Sequence, residues 1–208
     1  MAVICFDYDG TLADTISLEE QYYLPAFRRR GIEVFQTMND LKEACRVNYY
    51  AFCAEHDLSD ELLEEILAEF KAALAENNIE EPLFPGVVEM LTALLPKHLV
   101  YIVSANDADF IRRRFASEGL TDFAGIIGWR ESMSKEESLR RLLKEHDGEP
   151  FYFVSDSVGD MREAVSVGVP HIYGVSYGWG IGADLIKAGA HRLFDDVPSL
   201  AACLGEAE

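Results

Sequence analysis

Five short apolar segments recur along the chain and limit its fold more than any other feature of the sequence. They span residues 3–6, 98–103, 151–154, 170–175 and, more weakly, 191–194. Nearly continuous apolar strands are typical of a parallel sheet that helices cover on both faces. Helical patterns alternate with these segments, and two of them, 108–118 and 160–167, end just before a glycine suited to the left-handed end of a helix. The sequence therefore predicts a doubly wound, mainly parallel α/β sheet.

A long insertion separates the first two predicted strands. Residues 15–84 contain no convincing strand, and prolines and a glycine at 82–86 mark a return hinge. Ser59 is placed to cap a helix whose apolar side chains recur at three- and four-residue spacing and form one stripe: Leu63, Ile66, Leu67, Phe70 and Leu74. We expect residues 1–14 and 85–208 to form the sheet-containing core, and residues 15–84 to form an all-helical cap over one end of the sheet.

The charge of the chain limits its partners. Lysine and arginine number 18 and aspartate and glutamate number 37, which gives a formal net charge of -19. Such a charge opposes binding to the phosphate backbone of nucleic acids, whereas a small anion can still bind where local donors and a cation outweigh distant, screened charges. We predict a small-molecule partner and no nucleic acid. The sequence leaves open whether the chain is a monomer or a homodimer.

The cysteines and the hydropathy of the chain indicate the cytoplasm. Cys5, Cys45, Cys53 and Cys203 form no C-x-x-C pair, which favours free thiols in a reducing compartment. The first residues show neither a basic leader nor a signal-like apolar stretch, and no run approaches the roughly 18 apolar residues of a membrane span. We expect a cytoplasmic protein with no membrane contact.

Polar clusters directly follow three of the predicted strands. Asp7 and Asp9 stand in one cluster, Ser104-Ala105-Asn106 forms the second, and Asp156 and Asp160 stand in the third. Because the carboxyl ends of parallel strands lie along one edge, where such sheets bind ligands, we expect the clusters to converge. Carboxylates that lie close together repel each other unless a cation compensates them, and Mg²⁺ prefers oxygen ligands and retains several waters. The clusters therefore predict a magnesium site, and no histidine- or cysteine-rich spacing indicates zinc.

A lysine at a helix start completes the predicted site. Ser134 and Glu137 match the S-x-x-E capping box, which places Lys135 in the first turn of a helix. Its ammonium group then lies beside a helix N-terminus that already favours anions. The hydroxyl of Ser104 and the two backbone amides that follow it provide further donors for the same phosphate.

In this order, the clusters resemble the four motifs of the haloacid dehalogenase-like superfamily over almost the whole chain. Asp7-Tyr8-Asp9-Gly10-Thr11-Leu12 resembles the motif DxDGT(L/V), and residues 156–160 resemble the acidic motif GDxxxD, with Ser155 at its usual glycine. The helical insertion and the stretch 175–180 look most like the phosphoglycolate phosphatase-like branch. The resemblance implies a Rossmann-like core, a helical cap, and magnesium-dependent hydrolysis of a small phosphomonoester such as a phosphoglycolate-like compound or a sugar phosphate.

The resemblance also implies individual roles. Asp7 would attack phosphorus and form an aspartyl-phosphate, while Asp9 would protonate the leaving oxygen and then activate water. The side chains of Asp7 and Asp156 and the backbone carbonyl of Asp9 would bind magnesium, and Asp160 would support the metal through a bound water. The groups expected to hold the phosphoryl group are Ser104, Lys135 and the amide of Ala105.

Departures from the family pattern leave alternatives open. Ser155 replaces a glycine, and Asn106 stands one place later than is usual, so we expect local backbone changes at both positions. Residues 178–182, Gly-Trp-Gly-Ile-Gly, are interpreted as a loop at the edge of the site, because their spacing differs from the dinucleotide pattern G-x-G-x-x-G. The alternatives are a phosphomutase of the same fold, a receiver-like signalling module and a catalytically silent binding homologue.

Overall fold

A computed structural model of the chain describes residues 1–47, 49–77, 79–132 and 134–207, apart from the side chains of residues 45–47 and 49–51. The chain divides into two compact units, Met1–Asp14 with Leu83–Glu208, and Thr15–Pro82. Cys5, Cys53 and Cys203 are free thiols, as predicted, whereas the side chain of Cys45 lies outside the described residues.

The first unit contains a parallel sheet. Its strands are β1 (Val3–Phe6), β2 (Leu99–Val103), β3 (Gly125–Ile127), β4 (Phe151–Ser155), β5 (His171–Val175) and β6 (Arg192–Phe194). The six strands are ordered β3-β2-β1-β4-β5-β6, and every pairing is parallel. The predicted α/β class is confirmed. The sequence did not predict β3, because its three residues begin with glycine and give almost no pattern.

Helices cover both faces of the sheet. They are α6 (Val87–Leu94), α7 (Ala108–Ala116), α8 (Lys135–Glu145), α9 (Val158–Val167), α10 (Gly182–Ala188) and α11 (Val197–Leu204). Alternate residues of β1 point to opposite faces: Ile4 and Phe6 pack with α6, α7 and α11, and Val3 and Cys5 pack with α8, α9 and α10. All four side chains are fully buried, which explains why this strand reads as an uninterrupted apolar run.

The strand order reverses at β1. Phe6 pairs in register with Ile102 of β2 on one side and with Val154 of β4 on the other. The chain leaves β1 towards β2 and β3, and it later returns to build β4, β5 and β6 on the opposite side. Open α/β sheets bind ligands at such a switch point, outside the carboxyl ends of the strands. The residues that follow β1 and β4 therefore meet at the expected binding position.

The second unit consists of helices in its described elements. They are α1 (Thr15–Leu18), a π-helical turn (Glu19–Tyr23), α2 (Leu24–Arg29), α3 (Met38–Val47), α4 (Tyr49–Glu55) and α5 (Asp60–Glu76). Ser59 caps α5 as predicted, because its hydroxyl accepts a hydrogen bond from the Leu62 amide at 3.3 Å. The predicted stripe is wrong at Leu67, which is 39% exposed, because the buried face of α5 follows Leu63 and Ile66.

The described part of the chain includes no helix that has both the length and the apolar character needed to cross a membrane.

Candidate active site

Asp7 lies at the switch point, immediately after β1. Its amide donates a hydrogen bond to the carbonyl of Val154 at 2.9 Å, and the residue is 5% exposed. Lys135 Nζ lies 2.7 Å from Asp7 Oδ1, which also accepts the amide of Tyr8 at 2.7 Å. The hydroxyl of Ser155 lies 3.3 Å from Asp7 Oδ2. Donors from separate parts of the chain therefore fix the orientation of this carboxylate.

Lys135 is the first residue of α8, as predicted. The hydroxyl of Ser134 caps the helix by accepting the amide of Glu137 at 3.1 Å. Lys135 Nζ lies 2.5 Å from Asp160 Oδ2, so the ammonium group bridges Asp160 and Asp7. Burial alone would lower the pKa of Lys135, but the two carboxylates raise it above its usual value. The lysine consequently keeps its positive charge at the centre of the site.

Asp156 follows β4 and is 1% exposed. Its Oδ1 atom accepts the hydroxyl of Thr11 at 3.2 Å, and its Oδ2 atom accepts the amide of Trp179 at 2.6 Å. Burial raises the pKa of Asp156 to about 6, the Trp179 hydrogen bond opposes this rise, and the charge of Asp160 adds to it. Two hydrogen bonds thus leave the negative charge of this carboxylate only partly compensated.

Three glycines allow the backbone to approach Asp156 closely. A β-carbon at Gly10, where φ is +73°, would lie 2.1 Å from Asp156 Oδ2, and one at Gly180 would lie 2.1 Å from the Asp156 carbonyl oxygen. A β-carbon at Gly178 would lie 2.2 Å from the Gly10 carbonyl oxygen. At Gly178 and Gly180 the overlap is with backbone oxygens, so a larger residue would require a shift of the backbone, and at Gly10 the positive φ and the overlap with the Asp156 side chain disfavour one. The 178–182 loop therefore lies at the edge of the site, as predicted.

Asp9 is partly buried and faces the loop after β2. The hydroxyl of Ser104 lies 3.5 Å from Asp9 Oδ2, and Asn106 Nδ2 lies 3.4 Å from each carboxylate oxygen. Burial raises the pKa of Asp9, whereas Lys135 and the contacts from Asn106 and Ser104 lower it. The Asn106 amide group is oriented by its own Oδ1 atom, which accepts the amide of Asp107 at 2.8 Å.

The side chain of Asn106 is a site residue that the sequence did not identify. The prediction used only its backbone amide as a phosphate donor, but that amide donates to Ser104 Oγ at 3.0 Å. The side chain instead reaches Asp9, which is 97 positions earlier in the chain. The only signal in the sequence was that Asn106 follows the second predicted strand. That position could not show which group the side-chain amide of Asn106 would contact.

Ser155 and Asp160 form a hydrogen-bonded pair beneath the ammonium group of Lys135. The Ser155 hydroxyl donates to Asp160 Oδ2 at 2.6 Å and accepts the amide of Ser157 at 3.1 Å. Ser155 also pairs in register with Gly174, so the predicted backbone change at Ser155 is wrong. A fully buried hydroxyl fits within a regular strand because both of its hydrogen-bonding roles are satisfied.

The buried charges of the site suit a divalent cation. Asp7 and Asp160 contact one ammonium group, that of Lys135, and Asp156 is buried as well. Burial together with the charges of Asp160 and Asp156 raises the pKa of Asp7 well above its usual range. Among the described residues, no three histidine, cysteine, aspartate or glutamate side chains could hold a metal ion by themselves. Mg²⁺ commonly combines one or two carboxylates with water and substrate oxygens, so the donor set fits magnesium.

Comparison with known protein families matches residues 1–168 to the model of haloacid dehalogenase-like hydrolases. No curated protein matches the sequence.

Solved structures share the fold over nearly the full chain. A haloacid dehalogenase-like family hydrolase from Streptococcus pneumoniae is 21% identical with a TM-score of 0.75, and 98% of each chain is covered. A predicted phosphatase from Clostridium acetobutylicum is 19% identical with a TM-score of 0.73, over 98% of this chain and 97% of the other. A predicted phosphoglycolate phosphatase from Haemophilus somnus is 19% identical with a TM-score of 0.69, over 98% of both chains. At these identities, the comparison establishes the fold.

Proposed function

The chain belongs to the haloacid dehalogenase-like hydrolase family, and we propose that it is a magnesium-dependent phosphatase of the phosphoglycolate phosphatase-like branch, acting on a small phosphomonoester. The 2.7 Å contact between Asp7 and Lys135 carries this proposal. It pairs a buried carboxylate, suited to attack phosphorus, with a cation suited to bind the phosphoryl oxygens. Asp9, two residues after Asp7, is a second carboxylate that is able to exchange a proton, and Ser104 and Asn106 contact it.

In the first step, a carboxylate oxygen of Asp7 attacks phosphorus. The bond between phosphorus and the ester oxygen breaks, and Asp9 gives its proton to that leaving oxygen, which departs as an alcohol. The products are an acyl phosphate on Asp7 and an ionised Asp9. Ser104, Lys135 and the amide of Ala105 hold the transferring group, and the Lys135 ammonium compensates the charge on its oxygens.

In the second step, Asp9 accepts a proton from a water molecule, whose oxygen attacks phosphorus. The bond between phosphorus and Asp7 breaks, inorganic phosphate leaves, and both aspartates return to their starting protonation states. One residue thereby acts first as acid and then as base. The raised pKa of Asp9 suits this exchange, because its carboxyl group retains a proton more readily than an exposed aspartate does.

Magnesium would be held by the carboxylates of Asp7 and Asp156 and by the carbonyl oxygen of Asp9, with Asp160 supporting it through water. It would supply positive charge for the phosphoryl oxygens. We further propose that the helical unit Thr15–Pro82 acts as a cap that excludes water and selects the leaving group, and that the protein works in the cytoplasm.

The test is phosphate release from a panel of phosphorylated metabolites, with and without magnesium, by the wild type, Asp7→Asn and Asp147→Asn. Asp147 is exposed after the end of α8 and serves as the matched control. We expect magnesium-dependent turnover that Asp7→Asn lowers by at least about 10³-fold and Asp147→Asn preserves. Undiminished turnover in Asp7→Asn would contradict the mechanism. A phosphorylated protein that accumulates without turnover would instead support a receiver-like module.

A further inference from the structure

A cavity of about 290 Å³ lies within the α/β unit beside the predicted phosphoryl site. Ser104, Ala105 and Lys135 form one part of its wall, and these are the residues assigned to the phosphoryl group. Val103 and Ile127 contribute apolar surface at the ends of β2 and β3. The cavity therefore continues directly from the place where the proposed reaction occurs.

Trp129 stands at the wall of this cavity with 56% of its surface exposed. Its backbone is fixed, because its amide donates to the carbonyl of Asn106 at 3.2 Å. At Gly128, a β-carbon would lie 2.6 Å from both the Asn106 carbonyl oxygen and the Ala108 nitrogen, so the two loops touch. An indole on a fixed backbone can bind a ligand with little further loss of conformational entropy.

The charges around the cavity disfavour a second anionic group. Among the described lining residues, Lys135 carries the only positive charge, and it already contacts Asp7 and Asp160. Arg130 lies nearby, but its guanidinium stacks 5.0 Å from the Trp129 ring and lies 3.2 Å from Asp107. A carboxylate on the leaving group would therefore approach several aspartates without a free cation from these residues.

Resting on the function proposed above, we propose that this cavity binds the leaving group of the substrate, and that this group is an uncharged ring such as that of a monosaccharide. Asp9, which protonates the leaving oxygen, contacts Ser104 on the cavity wall, so the leaving group starts at the cavity entrance. The apolar face of the ring packs on Trp129, and two serine hydroxyls at the wall suit its polar edge. Ser132 Oγ donates to the Ser134 carbonyl at 2.9 Å and can still accept a hydrogen bond, whereas Ser134 Oγ accepts the Glu137 amide at 3.1 Å and can still donate one. Within the α/β unit, Trp129 then contributes to the distinction between a sugar phosphate and phosphoglycolate, in addition to the selection proposed for the cap.

The experiment compares kcat/KM for glucose 6-phosphate, glycerol 3-phosphate and phosphoglycolate in the wild type, Trp129→Ala, Trp129→Phe and Ile186→Ala. Ile186 is 47% exposed on α10 and serves as the surface control. The wild type should prefer glucose 6-phosphate. Trp129→Ala should lower kcat/KM for glucose 6-phosphate about tenfold more than it lowers kcat/KM for glycerol 3-phosphate, because one aromatic contact with the ring is lost. Trp129→Phe should retain most of the preference, and Ile186→Ala all of it.

Calorimetric binding of glucose 6-phosphate to Asp7→Asn provides a measurement that needs no turnover. Adding Trp129→Ala should weaken this binding about tenfold. A wild type that prefers phosphoglycolate, or a Trp129→Ala variant that loses all three substrates by one factor, would overturn the subsite while the phosphatase proposal stands. Trp129-dependent binding without hydrolysis of any ester would overturn the phosphatase proposal and retain the binding site.

Discussion

Lys135 Nζ lies 2.7 Å from Asp7 Oδ1, and the side chains of this ion pair are only 14% and 7% exposed. Removing the cation leaves Asp7 and Asp160 buried without their charge partner. We therefore expect Lys135→Met to lower the free energy of unfolding by roughly 3–5 kcal/mol, the cost of breaking a buried ion pair. Turnover should fall at least about 10²-fold, because a cation on the transferring oxygens is lost. Urea denaturation and phosphate release measure the two effects.

Lys187→Met is the matched control for this variant. Lys187 Nζ lies 3.3 Å from Asp184 Oδ1, but its side chain is 77% exposed and belongs to α10. Exposed ion pairs contribute about 0–1 kcal/mol, so the denaturation midpoint should barely move. If both variants unfold at the wild-type urea concentration, the Lys135 ion pair contributes no stability and this assignment is wrong.

Asn106→Ala should impair the proton transfer by Asp9 more than phosphoryl binding. Asn106 Nδ2 lies 3.4 Å from both oxygens of Asp9, and it is the side-chain amide that orients this carboxylate. A poor leaving group needs the proton of Asp9, whereas p-nitrophenolate leaves readily without it. We expect kcat to fall about tenfold for an alkyl phosphate and clearly less for p-nitrophenyl phosphate, at the scale of one positioning contact.

Asn77→Ala serves as the asparagine control. Asn77 Nδ2 donates to the carbonyl of Ala73 at the end of α5, in the other unit of the chain. Its removal should leave the ratio of the two kcat values unchanged. An Asn106→Ala variant that slows both substrates by the same factor would show that the residue has only a structural role.

The parts of the site that the sequence predicted are encoded locally. Asp7 and Asp156 each follow an apolar strand, so their place at the sheet edge depends only on recognising that strand. Lys135 follows from the capping pattern of Ser134 and Glu137, which spans a single helical turn. Such patterns can be recognised in the sequence without knowledge of the tertiary structure.

The parts that the sequence did not predict depend on tertiary contacts. The side chain of Asn106 meets Asp9 across 97 positions, and the amide of Trp179 meets Asp156 across 23. A backbone amide has no residue-specific signature, so no pattern could indicate the second contact. Ser155 was assigned a backbone effect, but its hydroxyl bonds to Asp160 within an undistorted strand.

Gly180→Ala should displace Asp156 from its present position. A β-carbon there would lie 2.1 Å from the backbone oxygen of Asp156, and only movement of the backbone relieves this overlap. Overpacking of this kind costs roughly 1–3 kcal/mol, and magnesium binding should weaken as the carboxylate shifts. Thermal unfolding and magnesium titration by calorimetry are the measurements.

Gly159→Ala is the matched glycine control. Its β-carbon would meet Ser157 Oγ at 3.5 Å, an ordinary contact, and the residue lies within α9. Replacing a helical glycine by alanine should stabilise the chain by about 0.5–1 kcal/mol. A Gly180→Ala variant that is as stable as this control and binds magnesium like the wild type would show that residues 178–182 do not hold Asp156 in place.

Asp156 should make the stability of the metal-free protein depend on pH. Burial raises its pKa in the folded chain from 3.8 to about 6, so the folded state binds the proton more tightly than the unfolded state. The stabilisation from protonation is complete below about pH 4 and is lost as the pH rises through about 6, which amounts to roughly 3 kcal/mol for this group. In the presence of a chelator, urea denaturation at pH 4.5 and 7 should show about 2 kcal/mol of this decrease in the free energy of unfolding, because the aspartate of the unfolded chain, with a pKa of 3.8, is already largely ionised at pH 4.5.

The variant Asp156→Asn isolates that contribution, because other groups titrate in both proteins. The difference in free energy of unfolding between pH 4.5 and 7 should be smaller in Asp156→Asn than in the wild type. Magnesium competes with the proton for the same carboxylate, so it should stabilise the wild type more at pH 7 than at pH 4.5 and have little effect on the variant. Equal pH dependence in the two proteins would show that Asp156 is ionised across this range. In that case, groups of the protein would already compensate the negative charge of Asp156, and this carboxylate would not require a divalent cation for charge compensation.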